Sequence, residues 1–209
     1  LKLDIMSFFE QVDHNRVFHF FYSKCACSAR SSRILAALCC VPEGKKGSGS
    51  SKLVLARGFA TSSRLSLWCN LDTFQHLEWK VKKKLKNHDP RIVVYVDDIG
   101  ITASNVDIIK MLEIKELAIK ILQEKDDNQP LPVHTAPQKT KITSFATGAE
   151  HLGIKLGRNK LTTGGKTRSR REKIRAELSI IPSGKEKRKL RERSKAHHRY
   201  KKQVEGYFL

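Results

Sequence analysis

The residues best suited to chemistry are three aspartates. Two of them, Asp97 and Asp98, stand in Arg91-Ile-Val-Val-Tyr95-Val-Asp97-Asp98-Ile-Gly-Ile-Thr102, where apolar, β-branched runs flank the acidic pair. That pattern predicts a β-hairpin with two carboxylates at its turn, set on a buried sheet. Adjacent carboxylates held rigidly are costly unless a cation neutralises them, and hard oxygen ligands suit Mg2+. For Tyr95-Val-Asp-Asp98 alone, the plainer reading is an ordinary hairpin whose aspartates favour the turn. The third residue, Asp4, is the single carboxylate of the strand-like stretch Leu1-Lys-Leu-Asp4-Ile-Met-Ser-Phe8-Phe9. If that strand pairs beside the hairpin, Asp4 joins the other two. Three carboxylates from two neighbouring strands suit a two-metal phosphoryl-transfer site, with metals about 3.5–4 Å apart.

Further stretches occur in a fixed order. Leu3-Asp-Ile-Met-Ser-Phe-Phe9 is followed by Leu55-Ala-Arg57-Gly58-Phe-Ala-Thr-Ser-Ser63, then by Tyr95-Val-Asp-Asp98. Ala136-Pro-Gln-Lys139-Thr-Lys141-Ile142 and His151-Leu152-Gly153-Ile154 come after them. In order and content these resemble motifs A to E of a prokaryotic reverse transcriptase, the family of retron, group II intron and defence-associated enzymes. The resemblance covers roughly residues 1–160 and implies an RNA-directed DNA polymerase. It implies Asp4 and Asp97 as ligands of two Mg2+ ions, with Mn2+ as a substitute, and Asp98 in support. Phe9 corresponds to the position that stacks beneath the sugar of the incoming deoxynucleotide, where a ring would clash with a ribose 2′-hydroxyl. By strand alternation, Phe8 is the core residue of that pair. Arg57, Gly58 and Tyr95 fall at nucleotide-binding positions, and Gly58 would allow close backbone approach. Lys139 corresponds to a lysine near the pyrophosphate, with Lys141 a competitor on the same expected strand face. Leu152 and Gly153 would form the primer grip.

Two departures from the family pattern stand out. Ala56-Arg57-Gly58 replaces the usual Pro-Gln-Gly, and the Val-Thr-Gly of retron thumbs has Leu161-Thr-Thr-Gly164 as its nearest text. The broader family is therefore the better match than a retron proper.

Composition agrees with a polyanionic partner. Forty-one Lys and Arg stand against 21 Asp and Glu among 209 residues, a formal charge of +20. Nucleic acid and an anionic membrane are the candidate partners. No run approaches the roughly 18 apolar residues of a membrane span, so a soluble, cytoplasmic, nucleic-acid-binding protein is expected. The resemblance implies as partners an RNA template, a DNA or RNA primer duplex and deoxynucleotide triphosphates, with a dedicated non-coding RNA as a further candidate. Cys25, Cys27, Cys39, Cys40 and Cys69 lack paired C-x-x-C spacing, which points to reduced thiols in a core rather than a zinc site. Opening inside a catalytic strand, the chain reads as a fragment starting at the first motif, with most of the fingers outside it.

The supporting elements follow from periodicity. Asp13 can cap a helix through Arg16–Tyr22, and a second is expected from Ala29 to Cys40 with Ile34, Leu35 and Leu38 buried. Residues 43–52 read as a flexible basic loop ahead of a strand at Leu53–Ala56. A single long helix is expected from Thr61 or Ser62 to Lys86, with Leu67, Leu71, Phe74, Leu77, Val81 and Leu85 on its apolar face. Its basic end, Lys80–Lys86, is read first as a solvated face complementing the helix dipole, with direct contact to a template as the alternative. Ser104 and Asp107 resemble a capping box for a helix to about Lys125, with Ile108, Met111, Leu112, Ile119 and Leu122 apolar. A short strand is expected at Leu152–Leu156.

From Lys166 onward 16 Lys and Arg meet five Glu, a net +11. The segment reads as two helices, Arg168–Ile180 and Lys185–Glu205, or as a disordered basic tail. Ile174, Leu178, Leu190, Tyr200 and Val204 keep helical spacing and favour the helices. The alternation of strands and long helices gives an α+β fold class, an antiparallel sheet with helices on one face. The resemblance implies that it is a right-hand polymerase palm with partial fingers over 1–160, followed by a basic helical thumb-like segment over 161–209. The rival reading is a non-catalytic, maturase-like RNA-binding protein with a polymerase fold. Template-independent or protein-primed synthesis would use the same site.

Overall fold

A computed structural model describes residues 1–44, 49–124, 130–156, 161–182 and 184–206. The chain is α+β, with helices and small antiparallel sheets. It divides into two compact units, Leu1–Ile142 and Thr143–Leu209, so the boundary falls ahead of the compositional shift at Lys166. Among the described residues, no helix is long and apolar enough to cross a membrane.

In the first unit, β1 (Lys2–Asp4), β4 (Arg91–Tyr95) and β5 (Asp98–Thr102) form an antiparallel sheet in the order β1-β5-β4. Alternation decides its two faces. Leu3, Ile99 and Ile101 are fully buried and join half-buried Ile92 and Val94 on the core side. The core is closed by Phe74, Leu77, Val81 and Leu85, by Ile114, Ala118 and Leu122, and by Leu131 and Val133. Burying a side chain of this size is worth roughly 1.5–3 kcal/mol, so this apolar layer fixes the register of the sheet. The free edge of β1 is also bonded. Lys2 and Lys141 exchange backbone hydrogen bonds of 2.8 and 3.0 Å, and the His134 N–H donates to the Asp4 carbonyl at 2.9 Å.

The helices that close this core are α4 (Leu71–Lys84) and α5 (Ile108–Gln123), and here the structure corrects the expectations. The long helix is two, α3 (Ser62–Cys69) and α4, broken at Asn70. Asn70 is fully buried and its Nδ2 donates to the Ser66 carbonyl at 2.7 Å, so its side chain competes with the helical ladder. The break rotates Leu71 out of the apolar stripe, leaving it 41% exposed. At α5 the cap is Asp107 itself, whose carboxylate accepts from the Lys110 N–H at 2.6 Å; Ser104 plays no part in it. The α5 core face is Met111, Ile114, Ala118 and Leu122, with Ile108 and Leu112 exposed. Lys125, expected near its end, lies outside the described residues.

The other helices pack on a smaller cluster of Val12, Val17, Ala36, Cys40, Leu55 and Leu65. Asp13 caps α1 (His14–His19) as expected, accepting from the Arg16 N–H at 2.8 Å. A π-helical turn, Phe20–Lys24, then replaces the expected continuation to Tyr22. In α2 (Ala29–Cys39) the buried face is Ser32 and Ala36; Ile34 and Leu38 are exposed, contrary to expectation. Small residues allow the close approach of α1, which larger ones at those positions would block. Strands β2 (Cys40–Pro42) and β3 (Leu53–Leu55) form a hairpin, its loop closed by Lys52 and Glu43 at 3.1 Å. Residues 45–48 of that loop lie outside the described residues.

In the second unit, β6 (Ala149–His151), β7 (Ile154–Leu156) and β8 (Leu161–Thr163) form an antiparallel meander. The single strand expected at Leu152–Leu156 is thus a hairpin, with Leu152 and Gly153 as its two turn residues. Two helices follow, α6 (Gly165–Ile180) and α7 (Lys185–Gly206), broken near Pro182 as expected. Ile174, Leu190 and Val204 are buried, a core small enough to leave most of the basic surface exposed.

Candidate active site

The β4–β5 hairpin reverses through only two residues, Val96 and Asp97, because Tyr95 pairs with Asp98. Val96 adopts φ +55°, which costs a β-branched residue on the order of 1–3 kcal/mol and clusters at functional sites. It holds Asp97 at the exposed tip and turns Asp98 onto the sheet face opposite the core. On that same face lie Lys2, Asp4, Gly100 and Tyr95, by strand alternation.

Asp4 and Asp98 are direct cross-strand partners. The hydrogen-bonded pairs on either side are Ile5 with Asp97 and, further along, Leu1 with Ile101. Asp4 and Asp98 are therefore a non-hydrogen-bonded pair, the kind whose Cα atoms approach to about 4.5 Å with side chains closest together. The expectation that the first strand pairs beside the hairpin is met, and β1 brings Asp4 to the acidic turn.

Three nitrogen groups answer the carboxylates. Lys139 Nζ donates to Asp4 Oδ2 at 2.9 Å, His134 Nε2 stands 3.4 Å from Asp4 Oδ1, and Lys2 Nζ is 2.8 Å from Asp98 Oδ1. Asp4 is buried, with 7% of its side chain exposed, so a partner at this distance is a requirement of its burial. The hydrogen bond to Asp4 and then the charge of Asp4 raise the Lys139 ammonium above the usual 10.5, against a smaller opposing effect of desolvation. Asp97 and Asp98 add in the same direction, so all three carboxylates act on one ammonium. Lys139 sits in a turn, its N–H bonded to the Ala136 carbonyl at 2.9 Å, and only Lys141 bridges to the sheet. The expected strand alternation of Lys139 and Lys141 is replaced by that turn, and Lys139 is the one that reaches Asp4.

Among the described residues, no three His, Cys, Asp or Glu side chains converge as a ready-made metal cage. Asp4 is engaged by Lys139 and Asp98 by Lys2. The donor chemistry nevertheless fits a hard divalent cation, since carboxylate oxygens on one face stand balanced by displaceable ammonium groups.

The remaining sequence candidates divide between the units. Phe8 is 2% exposed and Phe9 half-buried, their ring centroids 6.1 Å apart; Phe9 packs on the smaller apolar cluster. Tyr95 is 59% exposed, opposite Asp98. Arg57 is tied to Glu10, one residue beyond Phe9, at 2.6 Å. Gly58 has φ +93° with open space where a Cβ would stand, so backbone conformation rather than crowding selects glycine there. Leu152 and Gly153 belong to the second unit, where both take positive φ, 50° and 74°, as a two-residue hairpin turn of type I′ requires.

Lys2 and His134 were not singled out from sequence. Lys2 had a signal, because period two places it on the face of Asp4. His134 had none, since only the return of residues 131–142 along β1 brings it near. In the second unit, α6 and α7 enclose a groove of about 600 Å³ lined by Arg171, Arg175, Ser194, Lys195, His198 and Arg199, with no carboxylate among them. No protein-family model matches the chain, and no curated protein matches it.

Proposed function

We propose that the chain is the catalytic part of an RNA-directed DNA polymerase, with the first unit acting as palm and α6–α7 as thumb. The observation that carries this reading is the Asp4–Asp98 pair, with Asp97 at the adjoining turn and Lys139 on Asp4. Asp4 and Asp97 would hold two Mg2+ ions, or Mn2+, with Asp98 in support. When bound, such ions activate a hydroxyl and stabilise leaving oxygens. The reaction is attack of a primer 3′-hydroxyl on the α-phosphate of a deoxynucleotide, with release of pyrophosphate. Lys139 would balance charge on that pyrophosphate or give it a proton, a role that its contact with Asp4 supports. Phe9 would exclude the ribose 2′-hydroxyl, with Arg57, Gly58 and Tyr95 around the nucleotide and Leu152–Gly153 at the primer. The cationic α6–α7 groove would neutralise backbone phosphates of an RNA template and its primer, releasing counterions.

One observation favours a second reading. Lys139 and Lys2 already offset the charge of Asp4 and Asp98, so this opposed pair persists without a cation, as a maturase-like RNA-binding protein would require. Templated primer extension, set against an Asp97→Asn variant, separates the two.

A further inference from the structure

The carboxylate face is not the only surface with chemistry on it. Helix α4 buries Phe74, Leu77 and Val81 in the core beneath the sheet, so its opposite side faces away from the sheet. At the centre of that outer side stands Trp79, 54% exposed. Lys80 Nζ and Lys83 Nζ each lie 5.1 Å from its ring centroid, and the His76 ring is 6.1 Å away. From Trp79 to His88 the chain carries Lys80, Lys82, Lys83, Lys84 and Lys86 and no acidic residue. Lys82 is paired with Glu78 at 2.6 Å, and Lys83, Lys84 and Lys86 are exposed.

Dipole complementation explains cations in the last turn of a helix, but it gives no reason for an exposed indole among them. A membrane surface would need a broad apolar face beside the charge, and here one ring stands among ammonium groups. A flat π-face ringed by cations is the arrangement that takes an unstacked base and its flanking phosphates. Duplex nucleic acid hides its base faces and offers the ring nothing to stack upon.

We propose that the outer face of α4, centred on Trp79, binds single-stranded nucleic acid, with a base stacked on the indole and phosphates on Lys80 and Lys83. The site lies on the opposite side of the core from Asp4 and Asp98 and does not depend on the polymerase reading. An arriving base displaces an ammonium from the ring, and that ammonium turns to the phosphate beside it. Exposed cation–π contacts are weak enough for this exchange.

The test is indole fluorescence. The chain has two tryptophans, so Trp68→Phe leaves Trp79 as the reporter. A short oligouridylate should quench its emission to saturation, whether or not Asp97→Asn is also present. Trp79→Leu should weaken oligouridylate binding on the order of tenfold, the loss of one base stack. Lys80→Ala with Lys83→Ala should weaken it and flatten its salt dependence. Oligouridylate binding with unchanged Trp79 emission would overturn the proposal. So would equal quenching by heparin, by a blunt duplex or by phosphatidylserine vesicles, since none of these offers an unstacked base.

Discussion

Asp4 and Asp98 face each other across β1 and β5 as a directly opposed, non-hydrogen-bonded pair. Like charges in that position oppose strand pairing. The sheet forms nevertheless because Leu3, Ile99 and Ile101 bury their side chains on the other face, while Lys139 and Lys2 offset the repulsion. A fold with no use for carboxylates at this place would be stabler with apolar or neutral residues there, so the pair points to a task beyond folding.

The Lys139–Asp4 contact makes a titration prediction. Lys139 is raised above 10.5 chiefly by its hydrogen bond to Asp4, so Asp4→Asn should return it toward that value. A group whose folded value lies above its unfolded one contributes stability that is complete below the unfolded value. That contribution is lost as pH rises through the folded value, here at alkaline pH. NMR titration of the lysine side chains checks this; a Lys139 that titrates identically in the variant would remove Asp4 as the cause.

The Asn70 break predicts a stability loss. Asn70→Asp removes the donor to the Ser66 carbonyl and places a charge in a fully buried site. Urea unfolding should show a loss of about 2–4 kcal/mol. A change under about 0.5 kcal/mol would mean that the break between α3 and α4 is held by something else.

Thiol reactivity should follow burial. Burial, reinforced by neighbouring thiols and opposed by Arg16, pushes the Cys69 thiol up to about 12, and Cys40 rises to about 11. At neutral pH the Cys69 and Cys40 thiolates are far scarcer than that of an ordinary cysteine. Alkylation followed by mass spectrometry should therefore label exposed Cys25 first, and Cys40 and Cys69 last. Early labelling of Cys69 would show that its surroundings open.

Much of this was legible in sequence because local patterns decide it. Alternating β-branched residues around Asp97-Asp98 dictate the hairpin, Asp13 caps α1, and Pro182 with Gly184 separates α6 from α7. Cys25, read as one of a set of core thiols, is exposed. What was not legible depends on distant partners. Asn70 looks neutral in a helical pattern until its burial forces its amide onto Ser66. Ile34 and Leu38 point outward because Ser32 and Ala36 suit the neighbour better. Leu152-Gly153 lacks the Asn-Gly or Asp-Gly signature of a two-residue hairpin turn, although the backbone makes one. The resemblance points to Lys139, but its reach to Asp4 comes from a turn that no strand period describes.

Sugar selection offers a prediction that rests on the polymerase reading. Phe9→Val should raise the use of ribonucleotides relative to deoxynucleotides by about tenfold or more, measured by competitive incorporation. Unchanged selectivity would reassign Phe9 to the apolar cluster against which it already packs.

The most direct measurement is extension of a primer on an RNA template, with deoxynucleotides and Mg2+, by the protein and by its Asp97→Asn variant. We predict templated extension by the first, and loss of at least about a thousandfold in the second with RNA binding kept within a few-fold. Extension that survives Asp97→Asn would contradict the carboxylate assignment. Tight RNA binding without any extension would contradict the polymerase reading itself and leave a binding protein built on the same fold.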